Sequence, residues 1–279
     1  MANLWQSSAC ILCECNCGIK VQIGGKNDRE IVKLRGDDDH PSSKGYLCQK
    51  ASRLNYYQNG TDRITKPLRK KSNGDFEEID WDTAISDVAY RLIGVRDEFG
   101  GDKIFYYGGG GQGNHLPGGY ATAFRHVLGS WYRSNAIAQE KTGEFWVNSH
   151  MFGGNVRGDF EHCDVALFIG KNPWHSHGIP RARAFLREIS KDDSRTLIVI
   201  DPVVTETAVL ADIHLQVKPG RDAWLMAAMV AMVVQQRNYK EAWLSQYSDG
   251  LPQILEAFSK IPISEYCKHA GIPITTTET

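Results

Sequence analysis

Four of the seven cysteines fall within eight residues, as Cys10-x2-Cys13-x-Cys15-x-Cys17, and Cys48 follows after thirty more residues. A disulfide framework would spread its cysteines along the chain and favour an even count. Crowding of this kind implies thiolates converging on a metal. A cubane iron–sulfur cluster needs four thiolates around a wide core. One tight loop can supply three of them, and the fourth must come from elsewhere. Cys10, Cys13, Cys17 and Cys48 meet that requirement, and Gly18 relieves crowding beside the third. Zinc is the rival reading. Zinc ribbons usually pair two Cys-x-x-Cys knuckles, whereas the second half here has a single cysteine. Cys15 reads as a bystander between ligands, and Cys163 and Cys267 as packed thiols.

Around the cluster, Gly18–Ile23 alternates like a strand, residues 24–28 form a turn, and Glu30–Leu34 reads as a returning strand. A polar connector, Arg63–Gly74, leads to a helix from Asp80. Its apolar face comprises Ile85, Val88, Ala89, Leu92 and Ile93, with Asp80 or Asp82 as cap and Gly100-Gly101 as stop. Strands are expected at Lys103–Tyr107, Val165–Ile169, Thr196–Ile200 and Ile213–Val217, and helices near Pro180–Ser190 and Asp222–Arg237. Alternating strands and helices imply an α/β architecture with parallel strands, whose ligands sit beyond the carboxyl ends. Gly170, Asn172, Asp201, Pro202, Thr205, Pro219, Gly220 and Asp222 all fall there. Turn glycines admit a pyrophosphate to backbone N–H groups, and the aspartates can accept hydrogen bonds from ribose or base. Gly and Asp after strands are also ordinary turn and cap residues.

Composition closes off other classes. Net charge is −1, from 32 basic and 33 acidic residues, so no basic field points to nucleic acid or to an anionic membrane. No apolar run reaches about 18 residues, and Met1–Ala9 lacks the pattern of an export signal. A cytoplasmic protein without membrane insertion is expected.

The ordered motifs resemble the molybdopterin oxidoreductase family, which includes formate dehydrogenases and assimilatory nitrate reductases. The matching run is Cys17-Gly18-Ile19, Gly36-Asp37, His40-Pro41, Gly45 and Leu47-Cys48-Gln49-Lys50, then Arg63–Leu68 and Trp81-Asp82. It continues in Gly170-Lys171-Asn172-Pro173, in Asp201-Pro202 with Thr205, Thr207 and Ala211-Asp212, and in Pro219-Gly220-Arg221-Asp222. The resemblance implies a small N-terminal β-rich [4Fe–4S] domain over 1–60. The first part of an α/β domain then covers 61–135, and a Rossmann-like pterin dinucleotide-binding domain covers 136–279. It also implies a Mo- or W-bis(molybdopterin guanine dinucleotide) cofactor, a small-molecule substrate, and an electron-transfer protein or further oxidoreductase subunit as partner. Lys50 would lie on the electron path between pterin and cluster. The chain is expected to be truncated relative to the full family fold.

The family often supplies a metal ligand from a loop that corresponds here to Ala138–Gly143. Lys141 falls where formate dehydrogenases carry Cys or selenocysteine, which argues against formate oxidation by the usual residues. Lysine is a poor ligand while protonated, and Glu140 is the alternative oxygen ligand or proton carrier. Lys141 and Glu140 are thus the candidate catalytic pair. Two function classes remain at this point: the N-terminal part of a redox enzyme, or a non-catalytic iron–sulfur electron-transfer or scaffold subunit. A zinc-stabilised binding module would leave the α/β motifs unexplained.

Overall fold

The computed structural model describes residues 4–108, 116–135, 137, 141–154, 156 and 158–274. The chain divides into two compact units, Met1–Gly158 and Asp159–Thr279.

The first unit opens with three antiparallel strands in the order β1 (Gln6–Ala9), β2 (Gly18–Gly24), β3 (Glu30–Gly36). β2 is central. Ile19 and Val21 pack with Cys10 and Ala51, and Leu12, Leu34, Leu47 and Leu54 close over them. Helix α1 (Leu54–Asn59) is tied back to β3 by Asn59, whose side chain accepts the Ile31 N–H and donates to the Ile31 carbonyl, both at 3.0 Å. The expected polar connector forms a hairpin instead, β4 (Leu68–Lys70) with β5 (Phe76–Glu78). Arg69 and Glu77 pair across it, and Asn73-Gly74 makes the turn.

Helix α2 (Trp81–Phe99) starts where expected. Asp80 caps it by accepting the Thr83 N–H at 2.7 Å, and Gly100 at φ 92° stops it. Its apolar face is not a core face among the described residues: Ile85 and Val88 stay more than half exposed. The strand expected at Lys103–Tyr107 shrinks to β6 (Tyr106–Tyr107), paired in parallel with β7 (Arg133–Ser134). Residues Gly101–Lys103 wind into a 3-10 turn, and the Ile104 carbonyl accepts the Ser130 hydroxyl at 2.6 Å rather than a strand N–H. Helices α3 (Leu116–Leu128) and α4 (Thr142–Phe152) complete the described elements of this unit.

The second unit holds three parallel strands in the order β10 (Ile213–Leu215), β9 (Thr196–Ile200), β8 (Val165–Ile169). Leu197 and Val199 of β9 and Ala166 and Phe168 of β8 point into one core. Helix α5 (Pro173–Ser176) and helix α6 (Ala182–Ile189) lie between β8 and β9. α6 buries Ala182, Phe185, Leu186 and Ile189, an i, i+3, i+4, i+7 stripe. Its first turn begins later than expected because Arg181 sits in the left-handed region at φ 55°. β10 ends at Leu215, not Val217, because the Val217 N–H turns back to the Leu215 carbonyl at 2.9 Å. Helix α7 (Asp222–Gln235) follows, then α8 (Glu241–Tyr247), α9 (Leu251–Ser259) and α10 (Ile263–Ala270). Trp224 of α7 packs on Tyr266 and His269 of α10. No described helix is long and apolar enough to cross a membrane.

Candidate functional site

The cysteine loop is shaped by the end of the β1–β2 ladder. Ala9 pairs with Gly18, and the next N–H inward, from Cys10, reaches the Cys17 carbonyl at 2.8 Å. Residues 10–17 therefore close into one loop, with Asn16 at φ 46° making the reversal. A second loop returns from β3 through Asp37 to Cys48. The Cys48 sulfur accepts the Ala51 N–H at 3.4 Å. Cys10, Cys17 and Cys48 share one packed cluster.

Cys13 lies in the same loop as Cys10 and Cys17. Burial pushes the Cys10 thiol up, and like-charge repulsion from Cys13, Cys17 and Cys48 pushes it the same way. Thiolates that repel one another need positive charge between them, which a metal cluster supplies. Cys15 interacts with Cys13 and Cys17 as well. Its thiol hydrogen-bonds the Cys17 sulfur, which lowers Cys17 to about 7 and raises Cys15. Among the described residues no three Cys, His, Asp or Glu side chains form a group able to hold a single metal ion. The fit of a cluster rests on the packing of Cys10, Cys17 and Cys48 from two loops and on the N–H···S contact. Lys50 lies two residues past Cys48 and is exposed.

In the second unit, the three strands run parallel, so the residues after each share one edge of the sheet. Gly170 follows β8 at φ 58°, and Asp201 follows β9. Pro219-Gly220 lies beyond β10, with Gly220 at φ 73°, and Asp222 opens α7. A Cβ at Gly170 or Gly220 would meet nothing within 4 Å, so both backbones lie open to a close approach. That is a surface a pyrophosphate can use.

The other motif residues at this edge are engaged with the protein. Asn172 accepts the Thr207 hydroxyl at 2.7 Å and donates to Glu206 at 2.5 Å, which holds the Glu206 carboxyl below its ordinary range. Thr207, fully buried, also accepts the Trp174 N–H at 3.2 Å. Asp201 accepts the Val203 N–H at 2.9 Å, the Pro202 carbonyl accepts from Gln216, and Thr205 accepts the Ala208 N–H. The turn is thus built by Thr207 and Glu206 together with Asn172. Thr207 stands within the matched motif, whereas nothing in the sequence marks Glu206 as a partner.

Lys141 stands at the N-terminal boundary of α4, without a side-chain capping bond, and pairs with Glu144 at 3.1 Å. Glu140 lies outside the described residues, as do most of the glycine-rich segment after β6 and most of the loop before Lys141. A cavity of about 600 Å³ in the first unit, lined by Thr122, Arg125, His126 and Trp131 among others, contains none of the sequence-predicted site residues.

Over 97% of its length the chain is 30% identical to a nitrate reductase of Symbiobacterium thermophilum, covering 36% of that protein. It is 25% identical to the probable oxidoreductase YyaE of Bacillus subtilis, over 95% of this chain and 39% of the relative. Acetylene hydratase from Pelobacter acetylenicus superposes with a TM-score of 0.82 at 21% identity, over 98% of this chain and 37% of that one, which shows a shared fold. The chain therefore spans under two-fifths of the length of these relatives. The Fe4S4 domain of molybdopterin oxidoreductases matches residues 4–60, directly over the cysteine loops. Residues 63–257, which include the glycine-and-aspartate edge of the parallel sheet, match the molybdopterin oxidoreductase family, and the chain belongs to that family.

Proposed function

We propose that this chain is the N-terminal part of a Mo- or W-dependent oxidoreductase. Cys10, Cys13, Cys17 and Cys48 would hold a [4Fe–4S] cluster. The carboxyl edge of the parallel sheet would hold one dinucleotide arm of a bis(molybdopterin guanine dinucleotide) cofactor. The observation that carries this reading is the packing of Cys10, Cys17 and Cys48, from two loops, within a stretch that matches the family's Fe4S4 domain. When bound, the pterin-held metal supplies two-electron chemistry on a small-molecule substrate, and the cluster supplies a one-electron relay.

The chain's own residues would bind and position. Backbone at Gly170 and Gly220 lies open for a pyrophosphate, and the first turn of α7 adds a partial positive charge beside it. Asn172, held by Thr207 and Glu206, fixes the turn that presents Gly170. Asp201, Pro202, Thr205 and Pro219 shape the same edge, and Asp222 offers a carboxylate to ribose or guanine. Lys50, two residues past Cys48, would offset the negative charge of the thiolates. Lys141 and Glu140 are the candidate metal-proximal pair. Residues 1–60, 61–135 and 136–279 would be the functional divisions, in a cytoplasmic protein that passes electrons to a separate protein or a further subunit.

One observation favours the second reading, a non-catalytic electron-transfer or scaffold subunit. The Lys141 ammonium is already paired with Glu144, so it offers the metal no lone pair.

The test is metal analysis of protein purified without oxygen, with Cys48→Ser and Cys15→Ser beside it. About four irons per chain with Mo or W support the enzyme reading, and iron alone supports the electron-transfer reading. Cys48→Ser should bleach the brown absorbance while Cys15→Ser should not. Equal loss in both, or zinc in place of iron, would refute the ligand set.

A further inference from the structure

Cys17 and Cys48 come from different loops, so something must hold the two loops in register. Gly18, next to Cys17, is buried, and its N–H donates to the Ser43 hydroxyl at 3.1 Å. Ser43 is fully buried and belongs to the loop that ends in Cys48. Its hydroxyl also lies 2.9 Å from His40 Nδ1, and its own N–H reaches the same nitrogen at 3.2 Å. With Nδ1 as the acceptor, the Ser43 hydroxyl donates to it and keeps its lone pairs for the Gly18 N–H.

The backbone allows no slack here. A Cβ at Gly18 would lie 2.4 Å from His40, and one at Gly36 would lie 1.9 Å from the Gly45 carbonyl. The Asp37 carbonyl accepts the Gly45 N–H at 2.9 Å, and the Asp37 N–H donates to the Gly18 carbonyl at 3.0 Å. The two loops are thus pressed together, with one oriented hydroxyl between them.

We propose that Ser43 is a positioning residue, oriented by His40, that sets the Cys17 end of the first loop against the loop carrying Cys48. The proposal rests on the cluster reading above and adds a residue that touches no metal itself. Without the hydroxyl, the Gly18 N–H loses its acceptor in a buried place, and the Cys17 thiolate loses its fixed direction.

The experiment compares the full chain as wild type, Ser43→Ala, Ser43→Thr and the exposed neighbour Ser42→Ala, each purified without oxygen. Two readouts are taken: the electron paramagnetic resonance g values of the reduced cluster, and the rate of bleaching by an iron chelator. Ser43→Ala should shift the g values and bleach at least about fivefold faster, the scale set by an orphaned buried donor. Ser43→Thr, which keeps the hydroxyl but adds a methyl, should stay nearer the wild type than Ser43→Ala in both readouts, and Ser42→Ala should match the wild type. Wild-type g values and bleaching in Ser43→Ala would overturn the proposal. If Ser43→Ala does not fold, His40→Ala decides: it removes the acceptor that orients the hydroxyl and should shift the g values, while unchanged g values would overturn the proposal. A wild-type chain that binds no iron would overturn the cluster reading and this proposal together, whereas an iron-loaded wild type indistinguishable from Ser43→Ala would overturn this proposal alone.

Discussion

Replacing Thr207 by Val tests whether the Asn172 turn is held from inside the protein. The hydroxyl of this fully buried residue donates to Asn172 Oδ1 at 2.7 Å and accepts the Trp174 N–H at 3.2 Å. Valine has nearly the same shape and makes neither bond. Losing the bond to Asn172 costs about 1 kcal/mol, and leaving the Trp174 N–H without its acceptor costs about 1–3 kcal/mol. The added methyl returns roughly 0.8 kcal/mol of apolar burial. The net loss is then about 1–3 kcal/mol, read as the drop in unfolding free energy in urea. Thr207→Ser separates hydroxyl from packing. It should lose about 1 kcal/mol for the missing methyl while keeping the Trp174 amide protected from hydrogen exchange. Thr207→Val should lose that protection. In a double-mutant cycle with Asn172→Ala the two changes should be non-additive by at least about 0.5 kcal/mol. Thr207→Val within about 0.5 kcal/mol of wild type, with the Trp174 amide still protected, would refute the reasoning.

Two glycines should respond in opposite directions. Gly36→Ala would drive a methyl into the Gly45 carbonyl, so the chain should take up much less iron, as metal analysis would show. Gly94→Ala lies within α2 with nothing near its Cβ, and should raise stability by roughly 0.5–1 kcal/mol in the same urea assay. The Asp80 cap gives a pH dependence. The Thr83 N–H and hydroxyl hold its carboxyl below the usual range, so its contribution is complete above the ordinary carboxylate value and is lost as pH falls through the lower folded value. Asp80→Asn keeps a capping oxygen but cannot titrate there. Its melting temperature should fall less than that of wild type between pH 6 and about pH 3, and equal falls would refute the assignment.

The strand ends before Gly170 and Asp201 were legible in the sequence because short β-branched and aliphatic runs closed by Gly or Asp-Pro carry local information, whereas β10 stops at Leu215, short of the Pro219-Gly220 turn. The Asp80 cap and the cysteine loop were legible for the same reason. What was not legible depends on partners distant in sequence. The shortening of β6 comes from Ser130, 26 residues from the Ile104 carbonyl that it binds. Ser43 lies 25 residues from Gly18, and Thr207 lies 35 from Asn172. The hairpin at Leu68–Glu78 looked like a polar connector because both its strands are three residues long and mostly exposed, with no apolar alternation to read.

The uncovered stripe on α2 has a practical consequence. Ile85, Val88 and Ile93 are joined in the same unit by exposed Phe124, Val127, Trp146 and Met151. Water is orientationally restricted around so many apolar side chains, and its release drives such surfaces together. As a separate polypeptide, this chain will bind hydrophobic dyes, self-associate as its concentration rises, and depend on chaperones for a good yield. Dilute handling and mild detergent are therefore the conditions under which its metal content is best measured.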